Sequence, residues 1–193
     1  MDLRQRLFQY RSYTPIPFLV IMVFFARPTL IGLAAGAIIV LLGEGIRLWG
    51  VAIAGSETRT TGPVGGTYLI TTGPFSYVRN PLYLGNVLMY VGVGVMSNAL
   101  FPWLPLAALV YFVFQYSMIV SLEEEYLMKS FRDEFTEYCH AVPRFVPTWK
   151  KYTAGKHEQP SLDWRSGLIS EKRTLQAIGI LVVLLMALWQ LRG

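Results

Sequence analysis

Apolar residues gather into five runs, at residues 14–26, 29–54, 81–96, 103–120 and 175–191, separated by stretches that carry nearly all the charge. A bilayer core about 30 Å thick takes about 20 largely apolar residues as helix, and fewer when flanking side chains reach the interface. The pattern therefore predicts an all-α fold, a polytopic membrane bundle of about five transmembrane helices. The first run is short and opens with Pro15 and Pro17, which fits a tilted or partly interfacial helix, or one paired closely with the second across Arg27-Pro28. Between the third and fourth runs, Ser97-Asn98-Ala99-Leu100-Phe101-Pro102 reads as a tight helical hairpin, with Pro102 suited to a first helical turn.

If the five spans alternate, the residues before 14, residues 55–80 and residues 121–174 share one face. Arg27 and Arg192 lie opposite and Arg47 falls within the second span, which leaves fourteen of the seventeen basic residues on the shared face. Basic residues near span ends stay cytoplasmic, so the N-terminus and both long connections are expected there. Anionic headgroups attract such a face by about 1 kcal/mol per nearby basic side chain. The 53% hydrophobic content exceeds that of an ordinary soluble domain, and 193 residues fit one membrane domain. The net charge of +5 is spread between the apolar runs, which argues against a nucleic-acid partner. Cys139 is the single cysteine, so no intramolecular disulfide is expected, and with His140 and His157 it makes a poor zinc set. Arg4, Arg6 and Arg11 ahead of residues 16–26 resemble a secretory signal, but Phe24-Phe25-Ala26-Arg27 lacks a small-x-small cleavage site. A retained first span is the expectation.

Water-facing chemistry belongs on the two long connections. The first, rich in Gly, Thr and Pro, reads equally as a ligand-wrapping loop or a flexible link. It ends at Asn80-Pro81, a favoured N-cap followed by a favoured first helical residue, so a helix start with free amides is expected beside Arg79. That end suits a carboxylate or phosphate, or it is an ordinary cap with Arg79 as a headgroup anchor. After the fourth span come Glu123, Glu124 and Glu125, then Leu127, Phe131, Phe135 and Tyr138 on one stripe of an interfacial amphipathic helix, a pattern that packing alone explains. Successive helical positions point about 100° apart, so one of the three carboxylates faces inward or toward lipid and needs a cationic partner or ligand. Within the second span Glu44 and Arg47 sit one turn apart, as a structural pair or a substrate contact.

Leu69 to Gly85, with Gly73, Arg79, Pro81, Tyr83 and Gly85, is followed by Glu123-Glu124-x-x-Leu127-x-x-x-Phe131, then Tyr138, Val142-Pro143 and Pro147. This order resembles the isoprenylcysteine carboxyl methyltransferase and phospholipid methyltransferase superfamily over residues 67–147. The resemblance implies a membrane enzyme with a catalytic core at about residues 55–147, a cytoplasmic S-adenosylmethionine pocket and a lipophilic or small amphiphilic substrate arriving from the bilayer. Carried over by position, the cofactor contacts fall on Thr67, Tyr68, Leu69, Ile70, Phe75, Asn80, Pro81, Leu82, Tyr83 and Glu123, with Glu124 beside it. Glu123 pairs with the cofactor ammonium, helix-start amides receive its carboxylate, and Tyr83 or Phe75 faces the adenine or sulfonium. Tyr83, Arg79, Arg47 and Glu44 are then candidate catalytic, substrate or orienting groups. Asn80 replaces the usual His of the prenylcysteine enzymes, Phe75 a Tyr, Arg132 a Gly and Phe135 a Tyr. Ile119 stands where those enzymes carry an Arg that meets the substrate carboxylate, a change that bears on the acceptor.

Two other readings remain at this point. Arg79 to Gly85 and Tyr138 to Pro143 also resemble the C-terminal part of sterol reductases, which use NADPH, although Asn86 stands where those carry Asp. A non-catalytic membrane scaffold is the third.

Overall fold

The computed structural model describes residues 2–55, 69–155 and 159–192, and among them regular structure is entirely helical. The elements are α1 (Leu3–Tyr10), α2 (Pro15–Phe24), α3 (Leu30–Ala54), a short 3-10 turn (Gly73–Ser76), α4 (Pro81–Ser97), α5 (Trp103–Ala141) and α6 (Trp164–Arg192). All five apolar runs become helices. α3, α5 and α6 are long and apolar enough to cross a membrane, and α2 and α4 are shorter apolar helices beside them. The protein is an integral membrane helix bundle, and its outer surface shows why. Only 6% of the apolar stretch of α6 is buried, against 44% of that of α5, so Ile169, Ile180 and Val183 of α6 face outward. That apolar surface fits lipid rather than water.

Local signals set the helix ends. Pro15 opens α2, and the Thr29 hydroxyl accepts the Gly32 amide at 3.1 Å to start α3. Asn98, left-handed at φ 49°, ends α4. The Arg27 amide donates to the Ser97 carbonyl at 2.9 Å and Asn98 Nδ2 to the Arg27 carbonyl at 3.1 Å, so the α2–α3 and α4–α5 turns are joined at one end of the bundle.

α3 and α4 pack almost backbone to backbone. A Cβ added at Gly36 would stand 2.4 Å from the Gly92 carbonyl oxygen, and one at Gly43 would stand 2.7 Å from that of Gly85. Small residues facing small residues give membrane helices the close contact that the hydrophobic effect does not supply inside lipid. The approach also lays the Arg47 side chain against Gly85, where an added Cβ would meet Arg47 Cγ at 2.5 Å.

Two boundaries differ from the sequence expectation. The fourth run continues as helix well past residue 120, through the acidic triplet, and a non-helical Arg132 (φ 15°, ψ −90°) then separates it from a second helical piece that ends at Ala141, so the break comes later than expected. The stripe of α5 turns inward at the far end, where Phe135, Tyr138 and Val142 form a second core with Leu69 and Tyr152. α6 begins at Trp164, well before residue 175. Asp163 initiates it, accepting the amides of Arg165 and Ser166 at 2.9 and 3.1 Å and the Ser166 hydroxyl at 2.6 Å. Those bonds hold the Asp163 carboxyl below its ordinary range. The Asp163 amide donates to the Ala52 carbonyl at 2.8 Å, pinning the start of α6 to the end of α3.

Candidate functional site

The helices enclose a cavity of about 840 Å³. α1 and α2, the polar ends of α3 and α5, the start of α4, the loop at Leu69 and Ile70, and α6 all contribute to its wall. Leu69, Ile70, Phe75, Arg79, Asn80, Pro81, Leu82, Tyr83, Glu123, Glu124 and Arg47 all line it. Glu44 is not among the lining residues, and Thr67 and Tyr68 lie outside the described residues.

The two motif segments meet across the α4–α5 hairpin. The Tyr83 hydroxyl donates to Glu123 Oε1 at 2.6 Å, and the Tyr83 ring stacks on Tyr116 at a centroid distance of 4.7 Å. Glu123 is thus held in the cavity wall with one carboxylate oxygen engaged and further lone pairs available. The helix start is also as expected, since Pro81 opens α4. Asn80, however, makes no side-chain cap bond and instead donates Nδ2 to the Arg144 carbonyl at 3.1 Å. The first amides of a helix have no intrahelical acceptor, so those of Leu82 and Tyr83 are left without a cap from Asn80.

Arg79 and Glu124 form a framework beside this site. Arg79 Nη2 and Nε donate to Glu124 Oε1 at 3.0 and 3.2 Å, and Nη1 donates to the carbonyls of Val142 and Cys139 at 2.6 and 3.1 Å. Its backbone amide donates to the Pro143 carbonyl at 2.9 Å. Arg144 pairs with the other oxygen of Glu124. Arg79 thereby fastens the loop before α4 to the end of α5, and its guanidinium is committed there. The acidic triplet resolves into three fates: Glu123 to Tyr83, Glu124 to the two arginines, and Glu125 to Arg4 of α1.

Deeper in the bundle, Arg47 is held chiefly by a residue outside the sequence candidates. Its Nη2 donates to both oxygens of Glu171 at 2.8 and 2.9 Å, and Nη1 donates to Asn86. Glu44 Oε2 is 3.8 Å from Arg47 Nε, an ion contact without a hydrogen bond. Both oxygens of Glu44 are buried with no hydrogen-bond partner among the described residues. The pairing expected between Glu44 and Arg47 is therefore secondary to Arg47–Glu171. Gln159 was also missed. Its side chain donates to the Leu69 carbonyl at 3.0 Å and accepts the Thr71 amide at 2.8 Å, so the strap before α6 holds the loop at the cavity mouth. Arg47 signalled only that a guanidinium at membrane depth calls for a carboxylate; Glu44, one turn away, was the partner within helical reach, and nothing in the sequence pointed to Glu171.

The phospholipid methyltransferase family matches residues 31–134, the stretch that runs from α3 through the kink of α5. A cobalt-zinc-cadmium resistance protein of Cupriavidus metallidurans is 34% identical over 107 residues, which are 55% of this chain and 44% of that protein. A nickel-cobalt-cadmium resistance protein of Alcaligenes xylosoxydans xylosoxydans is 36% identical over 83 residues, 42% of this chain and 37% of its own. The protein-S-isoprenylcysteine O-methyltransferase of Schizosaccharomyces pombe is 33% identical over 79 residues, 41% of this chain and 33% of its own. The matched stretch spans less than half the length of each of these relatives. No solved structure matches the chain.

Proposed function

The chain belongs to the phospholipid methyltransferase family, and from that premise we propose that it is an integral membrane S-adenosylmethionine-dependent methyltransferase acting on a lipophilic or small amphiphilic nucleophile. The observation that carries the reading is the meeting of Tyr83 and Glu123 in the wall of one cavity, with the start of α4 alongside. A volume of about 840 Å³ suits a nucleoside-sized ligand with an acceptor beside it. The chemistry of the wall fits the methyl donor. Glu123 provides a carboxylate for an ammonium, the uncapped amides of Leu82 and Tyr83 suit a carboxylate, and Leu69, Phe75 and Leu82 offer apolar surface for an adenine. Bound there, S-adenosylmethionine supplies a methyl group on a sulfonium, open to in-line displacement. The protein's part is then alignment and the exclusion of water. Tyr83 holds Glu123 in position, Arg79 and Glu124 keep the loop closed on α5, and Leu127 and Phe135 add apolar wall.

The concentration of basic residues on the connections beside the cavity mouth supports a cytoplasmic N-terminus and mouth. S-adenosylhomocysteine is expected to bind the purified protein in detergent or nanodiscs. Glu123→Ala should remove a charged hydrogen bond worth about 1.5–3 kcal/mol, a loss of roughly ten- to a hundredfold in affinity. Radiolabelled methyl transfer to lipids, prenylated thiols and small thiols then identifies the acceptor. Tight NADPH binding without affinity for S-adenosylhomocysteine would overturn the reading.

A further inference from the structure

The Arg47 end of the cavity carries a charge arrangement that bears on which methyl acceptor it takes, an inference that rests on the methyltransferase reading above. The wall there includes Arg47, Asn86, Tyr90, Tyr116 and Glu171. One guanidinium serves two carboxylates here. Glu171, 2% exposed, takes Arg47 Nη2 through both oxygens, and Glu44, 7% exposed, stands 3.8 Å from Arg47 Nε. Asn86 accepts Nη1, and Tyr90 and Tyr116 stand in the same wall. Arg79, the other arginine marked by the sequence motifs, is committed to Glu124 and to backbone carbonyls. Ile119 is fully buried among apolar neighbours and offers no cation at all.

We propose that Glu171 is the specificity-determining residue of this end: by clamping Arg47 it bars anionic head groups and leaves the subsite to neutral or cationic hydrogen-bond donors such as amines and thiols. An anionic head group would meet the Glu171 carboxylate with its counter-charge already engaged, and like charges in a desolvated wall repel strongly. A donor head group finds acceptors in Glu171 and in the hydroxyls of Tyr90 and Tyr116. Rejection thus comes from a built-in repulsive group as well as from missing attraction. Glu171 lies on α6, outside the matched residues 31–134, so this selectivity belongs to the chain's own last helix.

The test compares dodecylamine, dodecanethiol and dodecanoate, which share one tail, for binding to the full-length protein in zwitterionic nanodiscs, read as a shift in unfolding temperature against concentration. The amine and thiol should bind at least roughly tenfold more tightly than the carboxylate. Glu171→Gln leaves Arg47 to Glu44 and should admit dodecanoate only weakly. The pair Glu44→Gln and Glu171→Gln together leaves Arg47 uncompensated, and dodecanoate binding should rise roughly tenfold or more while dodecylamine binding falls. Equal binding of dodecanoate and dodecylamine to the unaltered protein overturns the proposal, and so does a double variant that keeps its affinity for S-adenosylhomocysteine yet gains none for dodecanoate. Should the double variant not fold, the ranking in the unaltered protein decides. That ranking needs no methyl transfer, so absence of S-adenosylhomocysteine binding strikes the methyltransferase reading separately.

Discussion

Two ion clusters brace the cavity, and they are charge inverses. At its mouth one carboxylate, Glu124, holds two guanidinium groups, Arg79 and Arg144. At depth one guanidinium, Arg47, holds Glu171 closely and Glu44 loosely. The side-chain exposures explain why each excess is tolerated where it sits. Arg144, the surplus cation at the mouth, is 41% exposed and keeps much of its hydration, whereas Glu44 and Glu171 are 9% and 3% exposed and depend on Arg47. The outer cluster can therefore lose Arg144 cheaply, whereas neither carboxylate of the inner one has such freedom.

The largest effect is expected where a cluster also carries backbone. Arg79→Met removes the bonds to Glu124, Val142 and Cys139 together and leaves two carbonyls without that donor. A loss of about 3–5 kcal/mol is expected, seen as a sharply lowered unfolding temperature in detergent. A fall well under 1 kcal/mol would mean that the end of α5 is held by its apolar contacts alone.

Glu171→Gln comes next. It keeps the shape but takes the charge from the best partner of Arg47, and the guanidinium falls back on Glu44. The expected loss is about 2–3 kcal/mol, with faster amide exchange in the first turns of α6. α6 packs chiefly on α3, so the change should stay local. Exchange that quickens equally in α4 and α5 would break the contrast between the clusters, because both would then be parts of one cooperative unit.

How much of this was legible in the sequence follows the same line between local and distant partners. Apolar run length marked the five apolar helices, of which α3, α5 and α6 have the length and composition that a bilayer demands of a spanning segment. Asn80-Pro81 marked the start of α4 through chemistry contained in two adjacent residues. The nearness of Asn80 and Tyr83 to Glu123 followed from a resemblance in motif order and from a short hairpin. Glu171 was not legible. Residues 164–174 are charged enough to read as connection, and they become helix because Asp163 caps them and Ala52 accepts its amide. The glycine faces of α3 and α4 were equally hidden, since Gly36, Gly43, Gly85 and Gly92 gain meaning only when the two helices are set side by side. Arg79 was visible as a site residue, but its acceptors Val142 and Cys139 are backbone carbonyls, which no side-chain pattern announces.

Between the clusters stands the Tyr83–Glu123 bond, and Tyr83→Phe isolates it. The ring still stacks on Tyr116, so the fold should lose only about 1 kcal/mol. Glu123 loses the donor that orients it, and affinity for S-adenosylhomocysteine is expected to fall by roughly three- to tenfold, measured by titration calorimetry. An unchanged affinity would show that the carboxylate finds its position without Tyr83.

The smallest effect should come from Arg144→Gln. Arg144 is the outer partner of Glu124, and Glu124 keeps two bonds from Arg79 when it is gone. An exposed member of an ion pair contributes about 0–1 kcal/mol, less as salt screens it, so the variant should differ from the unaltered protein by a few tenths of a kcal/mol in dilute buffer and not at all near 1 M salt. The Glu171→Gln deficit, shielded from ions, should persist across the same range. If instead raising the salt erases the Glu171→Gln deficit and leaves that of Arg144→Gln untouched, the burial that separates the two clusters has been assigned the wrong way round.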